Sequence, residues 1–250
     1  GKSYQSYNGH PDPMTAIAIS SDGKKCISAS MSCLRFWRLD LDQPLQTKIS
    51  YSEGPITSGD ISEILKFGFV ASLQSFKLWS LEEGDLPQEY AIIPAYNMGK
   101  VRFNKSSTKI IWLESSTGFW VWDIASKKEL YLIPIIDDEI IDNFIIAGDD
   151  QSIIAHCMNK PEGKILIYKF KDFDERYHQV HKKNIKPTTI YYPKEGIKLM
   201  AAFPNSPNFL TVNFSGTEIR YWDTITQSYE ILERNPDGIA FRALSVSSYN

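Results

Sequence analysis

A short hydrophobic segment that ends in tryptophan recurs along this chain and restricts its fold more than any other feature. The segment FWVWDI at 119–124 is rich in aromatic and β-branched residues, a pattern typical of a half-buried β-strand. Similar segments occur at 34–39, 76–81 and 218–225, and KILIYKF at 164–170 carries tyrosine in place of tryptophan. The aromatic residues at this position are taken as the repeat anchors: Trp37, Trp79, Trp122, Tyr168 and Trp222.

The spacing of the anchors is close to regular. Successive anchors are 42, 43, 46 and 54 residues apart, and a self-similarity of about 40–45 residues is the period of a four-stranded propeller blade. The segments WDI at 122–124 and WDT at 222–224, together with Gly9-His10 placed 27 residues before Trp37, resemble the WD40-repeat family. The resemblance extends over nearly the whole chain and implies an all-β fold, a β-propeller of four-stranded blades.

The repeats predict one propeller domain over 1-250, with five complete repeats and the start of a sixth. The fourth repeat contains a charged insertion at 171-196, which explains the longest spacing. Because propellers have about 4–8 blades, we expect the parent polypeptide to continue or this segment to pair with another. The resemblance also implies that a strand at 3–8 completes the last blade. The predicted repeats are 10-50, 52-94, 96-136, 138-196, 197-234 and the partial repeat 240-250.

One part of the family pattern is missing from the sequence. In WD40 repeats a histidine, an aspartate, a serine or threonine and the tryptophan often form a buried hydrogen-bonded tetrad. The place of the aspartate, six residues before the anchor, holds Met31, Leu73, Ser116 and Gly216. Since a half-satisfied polar network costs more than an apolar substitute, we expect this network to be lost throughout the chain.

Composition excludes several classes of function. Lys and Arg number 27 against 30 Asp and Glu, and a net charge of −3 argues against a broad nucleic-acid-binding face. The three cysteines, Cys26, Cys33 and Cys157, are scattered without disulfide or zinc spacing, which predicts an intracellular location in the cytoplasm or nucleus. No apolar run approaches the roughly 18–20 residues of a membrane span.

The sequence contains no catalytic constellation. His156 and Cys157 are adjacent on a predicted strand and therefore point to opposite faces, which is wrong for a nucleophile and its base. His178 and His181 lie among acidic residues in the insertion, where a solvated loop is favoured over a metal site. Asp137, Asp138 and Glu139 are predicted to form a charged loop tip. We therefore predict no catalytic residue, no metal or cofactor site and no small-molecule substrate.

The favoured function is a non-catalytic platform for protein–protein interaction, a scaffold or adaptor subunit of a multiprotein complex. A propeller presents loops on one face that can vary without disturbing the fold, and large exposed side chains are the usual hot spots of an interface. The candidates on this loop face are Met31, Tyr96, Tyr191, Tyr192 and Phe214.

An alternative function rests on the basic and aromatic residues of 181-192. Lys182, Lys183 and Lys186 lie close in sequence to Tyr191 and Tyr192, so charged and stacking groups occur together. This combination indicates binding to nucleic acid or to a phosphoinositide in an anionic membrane. Acidic residues in the same insertion offset part of the positive charge.

Overall fold

The hydrophobic segments that end at the repeat anchors form the third strand of five four-stranded antiparallel sheets, each made of four consecutive strands. β3, β7 and β11 share one pattern of burial, in which two buried residues are followed by one half-buried residue, twice over. The anchor is the second residue of the second buried pair and is covered in every sheet. The pleat and the bulky side chains together explain why these segments form strands.

The structure, a computed structural model, describes residues 9–19, 23–31, 33–40, 46–50, 58–62, 67–72, 75–80, 88–94, 98–115, 117–135, 139–158, 163–172, 186–192, 196–237, 239–242, 244 and 246. Sheet 1 contains β1 (Met14–Ile19), β2 (Lys25–Ser30), β3 (Cys33–Arg38) and β4 (Gln46–Ser50). Sheet 2 contains β5 (Ser58–Ile61), β6 (Phe67–Ala71), β7 (Ser75–Ser80) and β8 (Gln88–Pro94). Sheet 3 contains β9 (Met98–Phe103), β10 (Lys109–Glu114), β11 (Gly118–Asp123) and β12 (Lys128–Pro134).

Sheets 4 and 5 have the same arrangement of four consecutive strands. Sheet 4 contains β13 (Ile141–Ile146), β14 (Ser152–Cys157), β15 (Gly163–Lys169) and β16 (Thr188–Tyr192), and a short 3-10 helix (Phe170–Asp172) follows β15. Sheet 5 contains β17 (Ile197–Ala202), β18 (Phe209–Asn213), β19 (Glu218–Asp223) and β20 (Ser228–Arg234). The fourth strand of sheet 4 thus lies inside the segment 171–196 that the sequence predicts as an insertion. The strand predicted at 3–8 lies outside the described residues, and the described residues of 240–246 form no strand.

The chain divides into two compact units. Unit 1 comprises Gly1–Phe103 and Trp112–Glu114, and unit 2 comprises Asn104–Ile111 and Ser115–Asn250. In unit 1, one apolar core joins sheets 1 and 2 and contains Ile27, Ala29, Leu34, Phe36, Ile61, Val70 and Trp79. In unit 2, a larger core joins sheets 4 and 5, and the ring of Trp222 lies parallel to that of Phe209 with 5.7 Å between centroids.

The WD40-type hydrogen bonds persist where the second strand supplies a hydroxyl. In sheet 1, His10 Nε2 lies 2.6 Å from Ser28 Oγ, which accepts a hydrogen bond of 2.7 Å from Trp37 Nε1. Cys33 Sγ lies 3.3 Å from His10 Nδ1 and so contacts the ring nitrogen that faces away from Ser28. The prediction that this network is lost throughout is therefore wrong for sheet 1. Cys33, the first residue of β3, contacts the His10 ring and so helps to hold it against Ser28.

The residue at the same position of the second strand differs between sheets 5 and 2. In sheet 5, Trp222 Nε1 donates to Thr211 Oγ1 at 2.8 Å. In sheet 2 the register partner of the anchor Trp79 is Gly68, and the residue two positions after that partner is Val70, which has no hydroxyl. Trp79 Nε1 is buried without a hydrogen-bond partner among the described residues. In sheets 1, 2 and 5 the indole N–H of the anchor is therefore paired where the second strand supplies a hydroxyl at this position and unpaired where it supplies valine.

The turns between the first and second strands are held differently from the turns between the third and fourth strands. In unit 2, the turns between the first and second strands are joined: Asp150 accepts hydrogen bonds from Asn104 Nδ2 (2.8 Å) and Ser106 Oγ (2.7 Å). Lys105 Nζ reaches Asn205 Oδ1 at 2.5 Å, so the turns of sheets 3, 4 and 5 form one hydrogen-bonded series. The aspartates of the two Trp-Asp pairs instead close their own turns, as Asp123 does through Ser126 N at 2.8 Å.

Candidate functional site

Three large apolar side chains are exposed at one end of sheet 4, where β13 and β15 begin and β14 and β16 end. Ile140, Met158 and Tyr191 have exposed fractions of 64%, 59% and 60%. Met158 N donates to Ile140 O at 2.9 Å, which holds these two residues side by side. Tyr191 is the register partner of Lys164, the second residue of β15. We call this end, with its three apolar residues and Lys164, the sheet-4 patch.

An ion pair lies within the sheet-4 patch. Lys164 Nζ is 2.6 Å from Glu139 Oε1, and the Glu139 side chain is nine-tenths buried. The hydrogen bond with Glu139 raises the pKa of Lys164, so the ammonium remains charged. The same ammonium lies 6.0 Å from the centroid of the Tyr191 ring, within the range of a cation–π contact. The patch therefore combines apolar surface with one ammonium group that a carboxylate holds in position.

A relay of three hydrogen-bonded side chains, two of them buried, lies next to the patch. Asp142 Oδ1 is 2.5 Å from His156 Nδ1, and His156 Nε2 is 2.5 Å from Tyr192 OH. Asp142 sits at a register shift between Ile141 and Asn143, and such a β-bulge re-aims a side chain. The relay joins β13, β14 and β16.

Glycine at position 163 makes the relay geometrically feasible. Gly163 and Tyr192 are register partners, and the Tyr192 ring crosses the backbone of β15 to reach His156 on β14. A Cβ atom added at Gly163 would lie 2.1 Å from Tyr192 Cζ and 2.4 Å from Cε2, well inside van der Waals contact. The absence of a side chain at Gly163 therefore admits the ring. With Tyr192 fixed inward, the preceding Tyr191 points to the opposite face of the strand and into solvent.

Two buried groups of sheet 4, the Cys157 thiol and the Tyr168 phenol, have raised pKa values. Burial, with the Glu139 carboxylate nearby, raises the pKa of the Cys157 thiol to about 12. Burial likewise raises the pKa of the Tyr168 phenol. Both groups stay protonated at neutral pH, and a thiol rather than a thiolate is a poor nucleophile. At neutral pH neither of these two groups therefore supplies an anionic nucleophile.

Sheet 5 exposes a further aromatic residue at the corresponding end. Phe214 follows β18 and has an exposed fraction of 74%. Asn213 Oδ1 accepts hydrogen bonds from the backbone N–H groups of Thr217 (2.8 Å) and Glu218 (2.9 Å), which fixes the turn that carries Phe214. Phe241 N donates to Gly216 O at 2.7 Å on the other side of this turn.

The residues predicted from the sequence have separate locations. Met31, in unit 1, is exposed, as are Tyr191, Phe214 and Lys186 in unit 2. Tyr96, Lys182 and Lys183 lie outside the described residues. The prediction of Tyr192 as an exposed contact residue is wrong, because its ring is buried across Gly163 and only 3% of its surface is exposed.

Sequence reasoning missed most of the sheet-4 patch. Glu139 was predicted to belong to a charged loop tip, yet its side chain is nine-tenths buried against Lys164. His156 was weighed only against its neighbour Cys157, whereas its partners Asp142 and Tyr192 are 14 and 36 residues away. The pairing of strands brings these residues together. In the sequence, the feature that could have indicated the contact is Gly163, the first residue of β15, because its missing side chain leaves room for the Tyr192 ring.

Among the described residues, no group of three or more His, Cys, Asp and Glu side chains is arranged to hold a metal ion. No helix in the described part of the chain has the length and apolar character needed to cross a membrane.

The chain is similar in structure to the β-propeller domain of Cps50 (Swd1) from Myceliophteria thermophila, with a TM-score of 0.66. The two are 11% identical in sequence, and the match covers 92% of this chain and 75% of that one. No protein-family model and no curated protein matches the sequence. The chain is thus an all-β protein of the β-propeller fold, which confirms the fold class predicted from its repeats and agrees with their resemblance to WD40 repeats. Because 1385 chains of solved structures match it, the likeness defines the fold and not a function.

Proposed function

We propose that the protein is a non-catalytic platform that binds a partner protein, as a scaffold or adaptor subunit of a complex, through the sheet-4 patch. The observation that carries this proposal is the exposure of Ile140, Met158 and Tyr191 at one end of a single sheet. Isolated exposed apolar residues are common, but a group of them marks an interaction surface. Tyrosine and methionine suit such a surface because one is a rigid amphipathic anchor and the other adapts its shape.

The electrostatics of the patch define the kind of partner. Lys164 is held between the Glu139 carboxylate and the Tyr191 ring, so its charge is already compensated and fixed in direction. We expect a protein segment with an apolar anchor side chain to fill the space between Ile140 and Met158 while a polar group of the partner contacts Lys164. All three cysteines are free thiols in the structure, which supports our proposal that this binding takes place inside the cell, in the cytoplasm or nucleus.

The test compares two double variants of the full-length protein in affinity capture from native extract, with nuclease-treated samples. Tyr191→Ser with Ile140→Ser removes the patch, and each lost anchor should cost about 1–2 kcal/mol, so the partner is depleted at least tenfold. Ile225→Ser with Leu232→Ser is the matched control, since it removes two other exposed apolar residues, both from sheet 5 and its last turn and neither a candidate contact residue. A partner retained by the patch variant, or lost equally with both, would refute binding at this site. Loss of every partner after nuclease treatment would indicate nucleic-acid binding instead.

A further inference from the structure

A second site lies at the end of sheet 4 opposite the sheet-4 patch. There, the end of β15 and the 3-10 helix face the residues that lead into β16, and between them is a pocket of about 250 Å³. Backbone pairing of Ile167 with Thr188 fixes the distance between the two walls. Phe170 N donates to Gln151 O at 2.8 Å, which anchors the turn after β15. The lining residues are Ile167, Tyr168, Lys169, Lys171, Asp172, Lys186, Pro187 and Thr188.

The charge of this pocket is strongly positive for a protein whose net charge is −3. Lys169 and Lys171 come from one wall and Lys186 from the other. Among the described residues of the lining Asp172 is the acidic one, so these four side chains carry a formal charge of +2. All three lysines are exposed, and within the described part of the chain none of their ammonium groups forms a hydrogen bond or ion pair. Gathering like charges is unfavourable by itself, so the site favours an anion.

We propose that this pocket binds a phosphate monoester carried on a small polar molecule or headgroup. A phosphate monoester bears a charge of about −1.5 to −2 at neutral pH, which matches the lining, and lysine ammonium groups are common phosphate ligands. The volume lies below the roughly 300–1,000 Å³ of pockets for drug-sized ligands, so the ligand is compact. A single-stranded nucleic acid would need aromatic platforms, and the aromatic residue of the lining, Tyr168, is fully buried.

The first experiment is calorimetric titration of the full chain with glycerol phosphate at low ionic strength. We expect saturable binding by the wild type that Lys171→Gln with Lys186→Gln weakens at least about tenfold, because two charge-assisted contacts are removed. Lys128→Gln with Lys198→Gln changes the net charge equally at sites outside the pocket and should leave the affinity unchanged. Since the substituted lysines are exposed or half-buried, circular dichroism should show both variants folded. Absence of saturable binding by the wild type, or equal weakening in both variants, would overturn the proposal.

The second experiment identifies the source of the phosphate. Phosphatidylcholine vesicles that contain phosphatidylinositol monophosphate are sedimented with the protein, and vesicles that contain phosphatidylserine serve as the control. Sedimentation with the first vesicles alone, lost in the pocket variant, indicates a lipid headgroup; glycerol phosphate binding without sedimentation indicates a soluble ligand. Equal sedimentation with both vesicles that persists in the pocket variant would show only general surface charge and would contradict the proposal. The patch variant Tyr191→Ser with Ile140→Ser should bind glycerol phosphate normally, so the two proposals fail independently.

Discussion

The contact between Gly163 and Tyr192 leads to a prediction whose sign and size follow from the geometry. Alanine at position 163 would place its Cβ 2.1 Å from Tyr192 Cζ, about 1.5 Å inside normal carbon–carbon contact. Nothing in the backbone of Gly163 demands glycine, because its φ is not in the left-handed region. The unfavourable part of the effect of Gly163→Ala is therefore assigned to displacement of the Tyr192 ring, to which the three nearest atoms all belong.

The cost has two contributions. Overpacking of a well-packed site costs about 1–3 kcal/mol, and moving the ring also separates Tyr192 OH from His156 Nε2, a buried hydrogen bond worth about 1 kcal/mol. We expect Gly163→Ala to lower the free energy of unfolding by about 2–4 kcal/mol, the sum of these two contributions. When Tyr192→Ala is already present the ring is gone, and the further cost of Gly163→Ala should fall below about 0.5 kcal/mol, as in a double-mutant cycle between residues in contact.

The assay is urea unfolding of the four proteins of this cycle, followed by tryptophan fluorescence and by hydrogen exchange of the amides of β14 and β16. Hydrogen exchange is included because a chain with two units need not unfold in one step. Gly196→Ala is the matched control, since a Cβ at Gly196 would meet Phe214 at 3.7 Å, an ordinary contact. If Gly163→Ala were as mild as this control, or equally costly with and without the Tyr192 ring, the account of the relay would be refuted.

Two further predictions concern the polar network around the anchors. Val70→Thr should supply the hydroxyl that Trp79 Nε1 lacks, so the free energy of unfolding should stay the same or rise by up to about 1 kcal/mol. Val212→Thr, at an equally buried site, is the control and should lower the free energy of unfolding by about 1–3 kcal/mol. Equal losses of stability in urea unfolding would contradict this reasoning. Burial, assisted by the Arg35 guanidinium, lowers the pKa of His10, so the unfolded chain takes up the proton first and stability should fall as the pH drops through about 6.5. The urea midpoint of wild type should fall more than that of His10→Gln between about pH 8 and about pH 5; parallel curves would show that His10 does not titrate in this way.

The period of the sequence predicted the fold because propeller blades are local objects. Each sheet is built from four consecutive strands, so a repeated segment that ends at Trp37 or Trp222 reports directly on one strand position. The fourth strand of sheet 4 escaped prediction because Thr188–Tyr192 follows a long charged stretch and was grouped with it. Strand order within a blade does not depend on loop length, and the structure shows the strand in its regular place beside β15.

The candidate site was harder to predict because it depends on which side each residue faces and on pairs distant in sequence. Tyr191 and Tyr192 have nearly the same residue type and context, yet one is exposed and the other buried, since adjacent residues of a strand face opposite sides. The side that faces the core is set by the Gly163 opposite Tyr192. The glycine is visible in the sequence, but its pairing with Tyr192 is not, because the two residues lie on different strands.

The hydrogen bonds between the turns of sheets 3, 4 and 5 determine where additional residues can be inserted into the chain. Asp150 and Lys105 each bind a neighbouring turn, so an insertion into the turns at 104–108 or 147–151 would shift acceptors that other sheets use. The turn at 125–127 is exposed and is closed by its own Asp123. Fluorescent labels and affinity peptides therefore belong at 125–127, where the chain can be lengthened without changing the spacing of its sheets.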